Sequence, residues 1–173
     1  VVDHYGRLDV LVNNAALYGD YDFSKSFLDM SVEDFDKFLG INIKGVFLCS
    51  RAVIPKMRES SWGRIVNISS IGALLPGPYG VTKMAVNQMT WGLSHFAGEG
   101  ITVNCVAPGP IFNESTNQLI GDAMKEQLMA LVSVKRPGTA TDIYGMIKYL
   151  VSDDAEWVTG QTYMVNGGSH VSF

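Results

Sequence analysis

Tyr79 and Lys83 stand four residues apart in a segment where Val86, Met89, Leu93 and Phe96 recur at helical spacing. This spacing predicts one helix face carrying both a phenol and an ammonium. An ammonium beside a phenol favours the phenolate and brings its pKa toward the range where it exchanges a proton with a substrate hydroxyl. Alone, the pair is a weak signal, because Tyr and Lys share many solvated helix faces. Ser69 and Ser70 close the run GRIVNISS. A hydroxyl at the C-terminal end of a strand can hydrogen-bond a carbonyl oxygen as charge develops on it, and capping a turn is the simpler use of the same residue. Asn42 falls seven residues after Phe35, on the stripe that holds Phe38 and Val46, so a polar amide faces the core and needs partners. A bond to a nearby backbone carbonyl and a catalytic role stand as equal readings of it.

Periodicity sets out the helices and strands around these groups. VVDHYGRLDVLVNNAA reads as a helix end, a turn at Gly6 and a short strand from Leu8 to Val12. Ser31 with Asp34 is an N-cap pair, and one long helix comes after it, its buried stripe running Phe35, Phe38, Leu39, Val46, Cys49, Val53 and Met57. Gly63 to Ser70 and Ile101 to Val106 are β-branched runs bounded by turn residues. Between them lies the helix from Tyr79 to Phe96, which ends before Gly98 and Gly100. Thr141 to Val151 gives another helix and Gly160 to Val165 a last strand, while Pro108 to Lys135 reads as the one long irregular stretch. Strands that are apolar on both faces and alternate with helices predict an α/β fold: a doubly wound, Rossmann-like parallel sheet forming a single domain over residues 1–173. In such a sheet the turns after Val12 (Asn13-Asn14-Ala15-Ala16) and after Val106 (Ala107-Pro108-Gly109-Pro110-Ile111) share one edge, where small residues let a flat ligand approach the backbone. An Asn-rich turn and a Pro-Gly turn are the plain readings of the same segments.

Composition narrows the classes. A chain of 173 residues, 47% hydrophobic and 17% charged, can bury one sizeable core. A net charge of −4, with no run among the 13 Lys and Arg residues, argues against nucleic acid. No stretch nears ~18 uninterrupted apolar residues, so no membrane span is expected, and the expected location is cytoplasmic. Cys49 and Cys105 form no CxxC and read as reduced, buried thiols; His4, His95 and His170 are scattered, so no metal site is expected.

Joint order is far more specific than any one motif. NNAA, the helical Asn42, NISS, Tyr79-Gly-Val-Thr-Lys83, NCVAPGPI and TGQTYMVNGG together resemble the short-chain dehydrogenase/reductase family along the whole chain. The resemblance implies an NAD- or NADP-dependent enzyme that interconverts a secondary alcohol and a ketone. By it, Tyr79 is the general acid/base, Lys83 lowers its pKa and holds the nicotinamide ribose, and Ser70 donates to the substrate oxygen. Asn42 is the fourth catalytic member and holds a water in a proton relay from the lysine. Asn13 and Ala15 stand beside the adenosine half of the cofactor, and Pro108, Gly109 and Ile111 face the nicotinamide. Phe112 to Val134, with Leu119, Ile120, Met124, Leu128 and Met129, resembles the family's mobile substrate-binding region, which implies an apolar alcohol or ketone. A homotetramer or homodimer is implied too, with the helices at Phe35–Met57 and Tyr79–Phe96 at a subunit interface.

The chain also departs from that family. It carries no TGxxxGxG loop and none of the strands that precede it there, a difference of roughly 60 to 80 residues, so it is expected to be the C-terminal two-thirds of such a domain. The stretch from Ser70 to Tyr79 is short, which leaves Ser69 and Ser70 competing for one role. Ala16 replaces a usual Gly, Asn113 a frequent Thr and Asn166 a usual Asp. Two other readings stand beside the enzyme: a catalytically incompetent fragment or non-catalytic partner subunit, and a relative performing elimination, isomerisation or dehalogenation. Lys83 argues against the dehalogenase branch, where an arginine takes its place.

Overall fold

The computed structural model describes residues 1–18, 26–112 and 120–169; Asn113, Leu119 and His170 lie outside the described residues. Among the described residues, four strands form one parallel sheet in chain order, β1 (Val10–Asn13), β2 (Gly63–Ile68), β3 (Ile101–Pro108) and β4 (Thr162–Val165). Their register aligns Asn13 with Asn67, Asn67 with Cys105, and Val106 with Tyr163. Helices cover both faces. α1 (Val2–Tyr5) ends on Gly6 at φ 74°, where a left-handed residue is needed, and leads into β1. α2 (Val32–Leu39) starts at Ser31, whose hydroxyl accepts from the Asp34 amide, and it continues into α3 (Gly45–Glu59). α4 (Pro78–Phe96) crosses from β2 to β3, and α6 (Ala140–Leu150) precedes β4. Val53, Ile54 and Met57 of α3 pack with Ile65 and Val103 on one face. Val66 and Val106 pack with Leu150 on the other. Alternate residues of the same strands therefore enter different cores, which explains why the two central strands read as unbroken apolar runs.

Three expectations need correction. The helix from Ser31 onward is not uniform: Gly40–Lys44 makes one π-turn between α2 and α3, with Asn42 at its centre. The extra residue in that turn rotates the remainder of the helix, so Ser50 takes the inward position after Val46 and Cys49 is exposed; only Cys105 of the two thiols is buried. Within the stretch read as irregular lies a ten-residue helix, α5 (Asp122–Leu131), which buries none of its own residues. At the end of α4, Phe96 is 78% exposed and Ala97 takes the core position. By length and hydropathy alone the run Val32–Glu59 would suit a bilayer. In this fold its inward residues pack on the sheet and its outer face carries Lys37, Lys44, Arg51 and Lys56, which marks it as a core helix.

Candidate active site

The strands deliver Ser70 and the α4 residues to the C-terminal edge of the sheet, and local glycines fix how closely they meet. Ser70 follows β2 in extended conformation, and its hydroxyl accepts from the Gly72 amide at 3.0 Å, capping the 3₁₀ turn Ile71–Leu74. A Cβ on Gly72 would lie 3.1 Å from the Tyr79 ring, and one on Gly80 would lie 2.1 Å from the Leu75 carbonyl oxygen. This short turn can fold onto the first turn of α4 because neither position carries a side chain. Pro78 at the start of α4 suits its fixed φ, and Tyr79 comes directly after it.

Ser70, Tyr79 and Lys83 come together. The Ser70 hydroxyl stands beside Tyr79 and lowers the pKa of its phenol, and the Lys83 ammonium lies 5.5 Å from the Tyr79 ring centroid. Lys83 is buried and donates from Nζ to the Ile68 carbonyl at 2.9 Å. Geometry sets the two serines apart. Ser69 is buried and donates to the Lys83 carbonyl at 3.1 Å, locking strand to helix, whereas Ser70 faces the phenol. Tyr18, in the segment after β1, sets its ring edge-on to Tyr79 with centroids 4.8 Å apart.

The electrostatics run opposite in sign to the sequence expectation for the phenol. Burial pushes Tyr79 up to about 12, and the neighbouring Ser70 hydroxyl is the influence that pulls it down. Burial brings Lys83 down to about 8. Desolvation disfavours the charged form of each and is the leading cause of both shifts.

Asn42 joins the site indirectly. Its Nδ2 donates to the Leu17 carbonyl and to Thr82 Oγ1, both at 3.0 Å, and its Oδ1 accepts from the Leu17 amide at 2.7 Å. Asn13 is directed elsewhere, donating to Asn67 Oδ1 at 2.8 Å and to Ser50 Oγ at 3.3 Å, while Asn67 in turn donates to Thr90 Oγ1 at 2.9 Å. Its side chain ties β1 to β2 and α3, and through Asn67 to α4; the exposed Ala15 is two residues further on. Pro108 closes β3 opposite Val165, and the Gly109 amide donates to the Val165 carbonyl at 3.0 Å. A Cβ on Gly109 would lie 2.5 Å from the Asn166 Cα, so only glycine allows this approach. Gly109 and Ile111 line a cavity of about 130 Å³ together with Val132, Arg136 and Gly167. Asn166 still supplies the acceptor expected of an aspartate there, its Oδ1 taking the Gly168 amide at 3.0 Å.

The residues that sequence reasoning passed over are Thr82, Thr90, Asn67, Ser50 and Tyr18. For two of them a signal existed: Thr82 and Thr90 flank Val86 at intervals of four on the buried face of α4, polar breaks in an apolar stripe.

Comparison with known proteins identifies the family. A family model described as enoyl-(acyl carrier protein) reductase covers residues 1–170. The chain belongs to the short-chain dehydrogenase/reductase family. It is 38% identical over 169 residues to an uncharacterized oxidoreductase of Mycobacterium tuberculosis, covering 96% of this chain and 68% of that protein. It is 39% identical over 176 residues to the 3-oxoacyl-[acyl-carrier-protein] reductase FabG of Staphylococcus epidermidis, covering 99% and 70%. The FabG of Staphylococcus aureus is 38% identical over the same length. The α/β fold with one parallel sheet is that of the short-chain dehydrogenase/reductases, a family of oxidoreductases.

Proposed function

We propose that this protein interconverts a ketone and a secondary alcohol with NAD or NADP, Tyr79 serving as general acid/base. The observation that carries this is the placing of the Ser70 hydroxyl beside Tyr79, with a buried Lys83 ammonium behind the ring. The activity for which the staphylococcal relatives are named, reduction of a 3-oxoacyl group, is a ketone reduction, which supports the same direction here and makes a 3-oxoacyl thioester the first substrate to test.

The residues present suit the nicotinamide end of the cofactor. Among the described residues the Lys83 ammonium makes one hydrogen bond, to Ile68, which leaves two of its three donors for ribose hydroxyls. The small, exposed Ala15 leaves backbone accessible to a flat ring system at one strand end, and the half-buried Gly109 follows another. Asn13, Pro108 and Ile111 frame those positions from the strands and the loop. The cofactor, when bound, supplies or accepts the hydride. Ser70 holds the substrate oxygen and Tyr79 gives it a proton in reduction or takes one in oxidation. A phenol that burial keeps neutral is suited to act as the acid. Lys83, held by Ile68, fixes the ribose and provides positive charge beside the ring, and Asn42 with Thr82 keeps the α4 turn in place. The exposed outer faces of α3 (Phe47, Leu48) and α4 (Val81, Met84, Trp91) support assembly as a homodimer or homotetramer.

The test is the absorbance of NADH and of NADPH during turnover of a 3-oxoacyl thioester and of simple apolar ketones by the intact protein. Tyr79→Phe keeps the ring and removes the ionisable oxygen, so turnover should fall by roughly 10² to 10⁴ with the fold retained. Near-full turnover by Tyr79→Phe would remove the phenol from the mechanism.

A further inference from the structure

We infer that Thr82 is a positioning residue: its hydroxyl ties the turn carrying Tyr79, through Asn42, to the segment after β1. The inference rests on the proposed role of Tyr79 and concerns how the phenol is held. Thr82 is wholly buried, and its Oγ1 donates to the Tyr79 carbonyl at 2.8 Å while accepting from Asn42 Nδ2 at 3.0 Å. One hydroxyl thus occupies both a donor and an acceptor site, and each partner is itself fixed. The Tyr79 carbonyl belongs to the first turn of α4, and Asn42 holds both backbone polar groups of Leu17. The next residue, Tyr18, packs its ring on Tyr79. The path therefore closes on itself: Tyr79 carbonyl, Thr82, Asn42, Leu17, Tyr18 and back to the Tyr79 ring.

A closed path of this kind sets the phenol from two sides. Its backbone is held from within the helix and its ring from the segment after β1. Lys83, the adjacent residue, is pinned independently through Ser69 and Ile68, so loss of the Thr82 hydroxyl should disturb Tyr79 more than Lys83. With the turn slackened, Tyr79 moves away from the Ser70 hydroxyl that lowers its pKa, and that pKa rises.

Thr82→Val preserves shape and removes the hydroxyl, and Thr82→Ser preserves the hydroxyl. In the intact protein Thr82→Val should lower kcat by roughly 10- to 100-fold, the range expected for misplacement of a reacting group, with KM for cofactor and ketone within about twofold. The limb of the pH profile set by Tyr79 should move upward. Thr82→Ser should restore most of kcat and return the limb to its place. If Thr82→Val yields no folded protein, Thr82→Ala is read by the same criteria. In a Tyr79→Phe background the hydroxyl should no longer matter, so adding Thr82→Val should change the residual rate by less than about twofold. Loss by the full factor in that background would show that Thr82 does not act through Tyr79, leaving the role of Tyr79 itself intact. Equal kcat for Thr82→Val and the parent, or equal impairment of the Ser and Val variants, would overturn the inference. If Tyr79→Phe alone leaves turnover unchanged, the underlying reading fails instead.

Discussion

Asn42 grips Leu17 by both of its backbone polar groups, its Oδ1 taking the amide at 2.7 Å and its Nδ2 giving to the carbonyl at 3.0 Å. A side-chain amide is one of the few groups that can do both at once, because it carries a donor and an acceptor in one plane. Asn42 sits buried at the centre of the π-turn Gly40–Lys44. Asn42→Asp keeps the size and the acceptor but loses both donated bonds, placing carboxylate oxygen against the Leu17 carbonyl and Thr82. The expected cost is on the order of 3 kcal/mol by urea unfolding, since two buried acceptor contacts lose their donor. The cost should be greater at pH 8 than at pH 5, where the protonated carboxyl can still donate one bond. A change below about 0.5 kcal/mol at both values would mean that the amide is replaceable by water.

The two adjacent serines should separate cleanly. Ser69→Ala removes the bond to the Lys83 carbonyl from a buried site, so it should lower stability by about 1 kcal/mol and leave the pH profile in place. Ser70→Ala should lower turnover, because its hydroxyl faces the phenol at the site proposed for the substrate oxygen. Measuring kcat and the unfolding midpoint on both variants checks the pair; reversed effects would exchange their roles.

The parallel α/β sheet was legible because the burial pattern of β2 and β3 is local: apolar runs with turn residues at each end. Tyr79 and Lys83 were legible for a similar reason, as helical spacing brings them to one face whatever the tertiary context. The π-turn was not, since a single inserted residue leaves the apolar periodicity of Phe38, Val46 and Val53 nearly intact while shifting Cys49 outward and Ser50 inward. Nor was the choice between Ser69 and Ser70, because successive residues leaving a strand point in opposite directions and only the turn geometry at Gly72 decides which meets Tyr79. The sign of the Tyr79 shift was lost for a different reason. Spacing reports which charge is near, and burial is a property of the assembled core.

The direction of turnover should depend on pH. Burial holds the Tyr79 proton to about 12, above its ordinary value, so the phenol is neutral across the neutral range. Ketone reduction uses that neutral form and should fall as pH rises through the Tyr79 pKa. Alcohol oxidation uses the phenolate and should rise over the same interval. Bound cofactor brings further charge and shifts the midpoint without exchanging the two directions. Rates of both reactions, measured across alkaline pH with the parent and with Ser70→Ala, check this. Oxidation and reduction falling together would assign the limb to some other group or to unfolding.

Lys83→Met tests whether the lysine is kept for chemistry at a cost to the fold. Its folded-state pKa is brought down to about 8 from the ordinary 10.5, and burial is the leading cause. Below pH 8 the ammonium is charged in both folded and unfolded chains, so the full desolvation penalty acts against the folded state. Between about pH 8 and 10.5 the unfolded chain keeps the proton and the folded chain has released it, so stability rises with pH across that window. Methionine fills similar volume with no charge to desolvate and loses one hydrogen bond to the Ile68 carbonyl, worth about 1 kcal/mol. Lys83→Met should therefore be at least as stable as the parent at pH 7, and the difference between the two should shrink as pH climbs from 8 to 10.5. Its turnover should nevertheless fall, because the group proposed to hold the ribose and charge the site is gone. Urea unfolding at several pH values, beside kcat at pH 7, reads both effects. If Lys83→Met is markedly less stable at pH 7 and the gap stays constant with pH, the lysine is a structural strut bound to Ile68, and its place next to Tyr79 carries no catalytic meaning.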